Sequence, residues 1–583
     1  MRSAVFVLVL VLAGAAGWFL LPQRTPRLGA PIVMAGRSVS EEEIQRWLIY
    51  GPCRSRLEAH KTWFLIDAQR ERLATRIALG EIEQRERVTP FHGTEAHEQA
   101  LAAARAAAHE RLVETGRVSE EELELEYARA VEDFLHKNPT LDLEAEIGRT
   151  YRRSDWFREE LRLGLAFDKL FFPAAPMEWP EETWEALEFQ ALELRDARDL
   201  SRKSVRESIE GHDWLELRRE TPDALASMRD AVRHRLFRRA RFETTTDGLA
   251  PGFVLVAHSD DEGCSDRIVR TSELWPEIED AVEPWEIEAA RSWLGTVLAV
   301  RVALEARSAM DLGAAREHVL GDLRQRAERT GKSLEELAHE AGRFPSPEAW
   351  VDYQVLREAF RSSTTASAPS ALVASLERSN WIHCGGRVHV EILLASAADI
   401  AHHRWLPDGM ERAHEKAQAL KDQLDANART WSRRRANGSR EGAIDPFALW
   451  NRLLDEQSDW WDPPDPREGE NPRPPRNHGR FYGRTWSELR MLLSEGEATD
   501  WAQDTDICER VFFEQEPGTI AGPFPCALGW VLVRLGARRA PETQLDLARP
   551  EDEERVLEEE LRARFAAFAR KAREEAGFDV LAR

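Results

Sequence analysis

ERVFFEQEPGTIAGPFPCALGWVLVRLGARR, residues 509–539, is the stretch that decides the fold of the C-terminal part of the chain. Gly518 and Gly529 are turn positions, and the apolar, β-branched run after Gly529 predicts a β-strand that closes a folded unit. An opening strand is predicted over residues 387–394, RVHVEILL. Helical patterns lie between these strands, so we expect residues 384–540 to form a small antiparallel sheet with helices packed on it.

The segments inside and after this unit are of three kinds. Apolar residues recur at helical spacing after the opening strand, and DPFALWNRLLDE (445–456) predicts a second helix. WWDPPDPREGENPRPPRN (460–477) is a proline-rich insertion without periodicity. Residues 541–583 contain a long charged helix, and we expect its apolar stripe to pack on a helical part of the chain. The stripe comprises Leu557, Leu561, Phe565, Phe568 and Ala572.

The chain before this unit is predicted to be helical, so the fold class is mostly α with one α+β domain. Residues 28–175 contain two S-x-x-E capping boxes, Ser40 with Glu43 and Ser119 with Glu122, each followed by apolar residues at helical spacing. Residues 261–370 repeat this order as a diverged second copy, with an Ile-Val strand, an acidic helix and a Trp-bearing helix opened by Ser346 where the first copy has Ser154. Residues 176–260 form a charged helical connector.

The charge excludes one broad class of partner. Lys and Arg number 80 against 104 Asp and Glu, a net charge of −24, whereas general nucleic-acid binding needs a basic surface. The five cysteines form no C-x-x-C pair, and no nucleotide-binding motif is present. We therefore expect no nucleic-acid partner, no metal and no cofactor.

The N-terminus is the one strongly apolar segment. Residues 4–21, AVFVLVLVLAGAAGWFLL, number 18, about the minimum that crosses a bilayer as a helix. Residues 1–24 are either an uncleaved membrane anchor or a cleaved signal peptide, and both place the remainder outside the cytoplasm. The expected location is a membrane-anchored, extracytoplasmic body, periplasmic in a double-membraned bacterium.

Several motifs together resemble the parvulin (PpiC-like) peptidyl-prolyl isomerases. VEILL, DPFALWNRL, HGRFYG (478–483), VFFEQEPGTIAGPF (511–524) and GWVLVRL (529–535) follow one another in the order of that family's segments. PGTIAGPF before GWVLV is the most specific match. The helical region with its SLEEL segment is similar to the chaperone domains of SurA-, PrsA- and PpiD-like foldases, two copies of which would be present.

The resemblance implies where the isomerase site would lie. The two family histidines fall on Glu391 and Val531, and His389 lies two residues before Glu391, where strand alternation returns it to the same face. The family's prolyl-pocket phenylalanine falls on Ile507. The substrate-binding residues expected beside it are Phe512, Trp530 and Phe481.

The resemblance also implies the function. We expect an anchored extracytoplasmic foldase or chaperone that binds unfolded or extended polypeptide, with isomerase activity weak or lost because both histidines are replaced. A working isomerase with a site rearranged around His389, Glu391, Phe512 and Trp530 is the first alternative. The second is a non-catalytic anchored scaffold for one partner.

Overall fold

A computed structural model of the chain describes residues 28–577 with internal gaps. The gaps are at residues 30, 92, 138–142, 144–146, 149–150, 174–177, 182, 188–227, 234, 237–239, 245–248, 260–264, 308–311, 331, 333, 335–336, 339–343, 345, 365–368, 400–403, 407, 438–443, 461–478, 494–506 and 527. The predicted N-terminal anchor, most of the charged connector and the proline-rich insertion lie outside the described residues.

The first helical region opens with a short hairpin. Strands β1 (Ile32–Met34) and β2 (Arg37–Val39) pair antiparallel, and five helices follow. These are α1 (Glu41–Tyr50), α2 (Arg54–Val88), α3 (Thr94–Thr115), α4 (Glu120–Lys137) and α5 (Ser154–Phe171). Both predicted capping boxes are present: Glu43 N–H donates to Ser40 Oγ at 3.2 Å, and Glu122 N–H donates to Ser119 Oγ at 3.2 Å. α5 begins at Ser154, as predicted, and its N-cap residue, Arg153, makes no side-chain cap.

The second helical region begins with a three-stranded sheet, where the first begins with a two-stranded hairpin. Strands β3 (Ala240–Glu243), β4 (Phe253–Ser259) and β5 (Arg267–Arg270) form an antiparallel sheet. The helices after it are α6 (Thr271–Ile278), α7 (Pro284–Arg307), α8 (Leu312–Thr330) and α9 (Pro347–Ser363). Ser346 caps α9 by accepting from Ala349 N–H at 3.0 Å, as its position predicts.

The two helical regions share one hydrophobic core. Ile44 and Leu48 of α1 pack with Leu274 and Ile278 of α6. Arg152, in the left-handed region at φ +65°, lies just before α5 and donates from Nη1 to Glu286 Oε2 on α7 at 2.8 Å. This ion pair is largely buried and joins the two regions. Removing either partner alone would be strongly destabilising, because it would leave the other charge buried without compensation.

The C-terminal α+β region contains a four-stranded antiparallel sheet. Its strand order is β10–β11–β6–β9, built from β6 (Arg387–Ser396), β9 (Arg480–Arg484), β10 (Ile520–Cys526) and β11 (Gly529–Arg539). β7 (Ala398–Asp399) and β8 (Arg404–Trp405) form a separate two-residue pair. The region is entered through α10 (Pro369–His383) and also contains α11 (Gly409–Ala436), α12 (Pro446–Gln457), α13 (Trp486–Leu492) and α14 (Ile507–Glu509), which runs into a π-helical turn, Arg510–Glu514.

The last helix, α15 (Pro550–Glu575), returns to the second helical region. Phe565 and Phe568 pack against Phe360 of α9, with ring centroids 5.5 and 5.1 Å apart. The predicted packing of this helix is confirmed, and Leu561, Phe565, Phe568 and Ala572 are buried as expected. The prediction is wrong only at the first position of the stripe, where Val556 is buried and Leu557 is 42% exposed. The α+β region is therefore inserted between two helices, α9 and α15, that pack together.

The described part of the chain is mostly helical with small antiparallel sheets, as the sequence predicts. Within it, no helix combines the length and apolar character that a bilayer span requires.

Candidate functional site

The central sheet of the α+β region has two different faces. On one face, β6 presents Val388, Val390, Ile392 and Leu394, and β11 presents Val531, Val533 and Leu535. On the opposite face, Leu393 of β6 and Leu532 of β11 contact α11 and α12. This alternation follows from the two-residue period of a strand and determines which predicted site residues can meet.

Four of the predicted site residues lie in the core of the first face. Ile507 and Val531 are fully buried, Phe512 is 1% exposed and Phe481 is 7% exposed. Phe512 packs edge-on against Trp486, with ring centroids 5.2 Å apart. Cys508, also fully buried, is packed among them. The predicted prolyl pocket is thus filled by side chains of the domain itself.

Glu391 lies on the opposite face of the sheet from Val531. Val531 pairs with Leu394, so these two side chains share a face of the sheet. Glu391 lies three residues before Leu394 on the same strand, and an odd separation along a strand places two side chains on opposite faces. The Glu391 carboxylate accepts from Trp450 Nε1 at 2.7 Å and from Arg534 Nη1 at 2.8 Å. The sheet therefore separates the two predicted positions, and Glu391 is already engaged in a partly buried hydrogen-bonded ion pair.

His389 and Trp530 are also placed apart from the first face. His389 is partly buried beside β9, with its ring edge-on to Tyr482 at a centroid distance of 5.7 Å. Trp530 stands at the start of β11 and stacks on His414 of α11 at 4.1 Å. The predicted site residues therefore lie in different surroundings. Four are in the core of the first face, Glu391 is in an ion pair, and His389 and Trp530 make separate, partly exposed aromatic contacts.

This arrangement limits the chemistry that the sheet can perform. Accelerating rotation about a prolyl amide requires an apolar pocket open to substrate, with polar groups that favour the twisted amide. Among the described residues, the apolar side chains of the first face named above are buried, and on the second face Glu391 is paired with Arg534. Among the described residues, no group of three or more His, Cys, Asp and Glu side chains could hold a metal ion.

A second candidate site lies on the arm formed by α2 and α3. A cavity of about 570 Å³ opens along this helix pair. Its lining alternates apolar and charged side chains: Glu71, Thr75, Glu98, Leu101, Ala102, Arg105, Ala106, His109 and Glu110. Small alanines on α3 let the helices approach closely, and Ala78, Ile82 and Ala104 form a small buried cluster between them. Sequence reasoning missed this site, although the alanine-rich run of α3 was its signal.

Large apolar side chains are exposed along the same arm. Val88 is 83% exposed, Leu79 50%, Val113 41% and Ile77 39%. Single exposed apolar residues are ordinary on a protein surface, but several on one helix pair beside a groove are typical of an interaction surface.

A third feature that the sequence did not predict is the joint between the α+β region and the helical body. The Arg378 guanidinium on α10 forms a bidentate ion pair with Glu509 and lies over the Phe513 ring, 4.7 Å from its centroid. Glu559 on α15 accepts from Arg562 Nη2 at 2.8 Å and is 3.5 Å from His383 Nε2. Burial raises the pKa of Glu559, but the His383 hydrogen bond and the charges of Arg562 and Arg378 outweigh it and lower the pKa to about 2.

Comparison with known proteins gives a weak structural similarity. No protein-family model matches the chain, and no curated protein matches it. A crystal structure of the peptidyl-prolyl isomerase PrsA from Bacillus cereus is similar over 54% of this chain and 91% of its own, with 14% sequence identity and a TM-score of 0.16. A TM-score this low does not establish a common fold.

Proposed function

We propose that this protein is a membrane-anchored extracytoplasmic chaperone of the parvulin-type foldase class that binds unfolded or extended polypeptide and has lost isomerase activity. The observation that carries the polypeptide-binding part is the α2–α3 arm, which has both a groove of about 570 Å³ and exposed apolar side chains. An extended client would bury its own apolar residues against the apolar lining of the groove, such as Leu101, and against exposed side chains such as Leu79, and roughly 25 cal/mol per Å² of apolar area drives these contacts.

The loss of isomerase activity is supported by the two faces of the sheet. Val531 lies in a sealed apolar layer, and Glu391 is held on the opposite face by Trp450 and Arg534. Neither position offers a group that could contact a prolyl amide. The anchored location rests on residues 4–21 of the sequence.

An isomer-exchange assay on a short Ala-Pro-Phe peptide tests the catalytic part of the proposal. With the full chain we expect the uncatalysed rate, with a time constant of tens to hundreds of seconds at 25 °C. Acceleration that His389→Ala abolishes would instead establish the rearranged isomerase site.

A client-aggregation assay tests the binding part. The full chain should suppress aggregation of a chemically unfolded model protein, and the triple variant Ile77→Ser, Leu79→Ser, Val88→Ser should lose most of that activity. Val373→Ser is the matched control, because Val373 is 64% exposed on α10, away from the arm. Equal suppression by the triple variant and the control would refute the role of the arm. Crosslinking to one stable partner and to no unfolded client would favour the scaffold function.

A further inference from the structure

The distal part of α11 carries no buried residue. Leu424 is the last buried side chain of this 28-residue helix, which ends at Ala436. At 1.5 Å per residue, the remaining turns extend about 18 Å beyond the last core contact. We refer to residues 425–436 as the α11 tip.

The α11 tip is strongly basic within an acidic protein. Residues 426–436 contain Arg429, Arg433, Arg434 and Arg435 and no acidic residue, whereas the chain as a whole has a net charge of −24. Across the part of the chain that the structure describes, none of these four guanidinium groups forms an ion pair. Two lysines earlier on the same helix are paired: Lys416 Nζ lies 2.6 Å from Asp459, and Lys421 Nζ lies 2.6 Å from Asp425.

Helix stability accounts for only part of this cluster. Cations in the last turn complement the helix dipole, which covers Arg433, Arg434 and Arg435 but not Arg429. Arg429 and Arg433 are four residues apart, a spacing at which like charges repel. No residue after Leu424 is buried, so packing offsets that repulsion less than it does in the first half of the helix.

The directions of the side chains indicate the shape of the partner. At about 100° per residue, Arg433, Arg434 and Arg435 lie about 40°, 140° and 240° around the axis from Arg429. Trp431, partly exposed, lies at about 200°, between two of them. One acidic peptide strand would contact one side of the helix, whereas a flat anionic layer met end-on would contact all four arginines and the indole together.

We propose that the α11 tip docks on an anionic phospholipid surface, with the arginines on lipid phosphates and Trp431 at the interfacial depth that tryptophan favours. The acidic body is repelled by such a surface, so the tip sets which part of the molecule faces the bilayer. The contact is electrostatic, and screening should weaken it as the Debye length falls from about 30 Å at 0.01 M salt to about 8 Å at 0.15 M.

Hydrogen exchange of the full chain on lipid vesicles tests the proposal locally, so that insertion of the N-terminal segment does not obscure the result. At about 0.01 M salt we expect exchange of residues 425–436 to slow at least tenfold on phosphatidylglycerol vesicles and to stay unchanged on phosphatidylcholine vesicles. Each arginine contributes roughly fivefold to affinity, so replacing all four by Gln should weaken it several-hundred-fold and abolish the protection. Replacing all four by Lys should retain most of it.

A matched control replaces Arg324, Arg326 and Arg329, exposed arginines of α8, by Gln and should leave the protection intact. Equal protection on both lipids, or protection that survives the fourfold Gln variant, would overturn the proposal. Protection by polyglutamate in solution with none on phosphatidylglycerol would overturn it in favour of an acidic polypeptide partner. None of these readouts depends on client binding by the α2–α3 arm.

Discussion

Replacing Phe565 by Ala tests whether α15 is part of the hydrophobic core that it shares with α7 and α9, which we call the helical body. Phe565 is 1% exposed and contacts Tyr353 and Phe360, with ring centroids 5.6 and 5.5 Å apart. Truncating a buried phenylalanine loses its transfer free energy and leaves a cavity, which together cost about 3–5 kcal/mol. Leu557→Ala, on the exposed face of the same helix, should change the free energy of unfolding by about 0.5 kcal/mol or less.

The assay must follow the helical body separately, because a chain with several regions does not unfold in one step. Native-state hydrogen exchange supplies this resolution. With Phe565→Ala, the most protected amides of α7 and α9 should lose about 3 kcal/mol of opening free energy, while β6 and β11 change little. Equal effects of Phe565→Ala and Leu557→Ala would refute the packing, and so would a loss confined to the sheet.

Three further perturbations follow from other buried groups. Glu559 has a folded-state pKa of about 2 against an ordinary 4.5, so its contribution of about 3 kcal/mol is present above pH 4.5 and lost as pH falls toward 2. Glu559→Gln should remove most of this contribution at pH 7, and the free energy of unfolding of the variant should fall less between pH 4.5 and pH 2. An unchanged pH dependence of the free energy of unfolding in this range would contradict this. Burial raises the pKa of Cys53 to about 12, so iodoacetamide at pH 8 should modify Cys53 only after unfolding, and mass spectrometry showing it modified as fast as partly exposed Cys384 would contradict this. Trp450→Phe removes one partly buried hydrogen bond from Glu391, which keeps Arg534 as a partner, and should cost about 1 kcal/mol in urea unfolding; a change below 0.5 kcal/mol would mean that this bond is not formed.

The local features of the fold were predictable because they depend on near neighbours in the chain. The structure contains the predicted capping boxes at Ser40 and Ser119. It also contains the opening strand predicted over residues 387–394 and the closing strand predicted after Gly529. The contact of α15 with α9 was predictable from its apolar stripe, although Leu557 lies outside the buried face. The error is confined to the first position of the stripe, because helical periodicity does not decide between Val556 and Leu557 when both are apolar.

The candidate site was less predictable because it depends on long-range register. Motif order aligned Glu391 and Val531 with two residues that must meet, but the cross-strand pairing puts them on opposite faces of the sheet. A shift of one residue in a strand reverses every side chain, and the local sequence holds no information about pairing between strands separated by more than 130 residues. The α11 tip and the arm groove were missed because neither matches a sequence motif. Both are recognised from side chains that the rest of the fold leaves unburied, which the sequence alone does not show.

The same register explains why one substitution should not restore catalysis. Val531 is fully buried between Leu394 and Phe524, its neighbours on β6 and β10. Val531→His would bury an imidazole in that apolar layer with no polar partner, at a cost of about 1–3 kcal/mol, because Glu391 points away on the other face. We therefore expect the variant to lower the midpoint of urea unfolding and to leave peptide isomerisation at the uncatalysed rate. A variant that gained isomerase activity would mean that the first face opens to substrate, and the argument for a silent domain would fail with it.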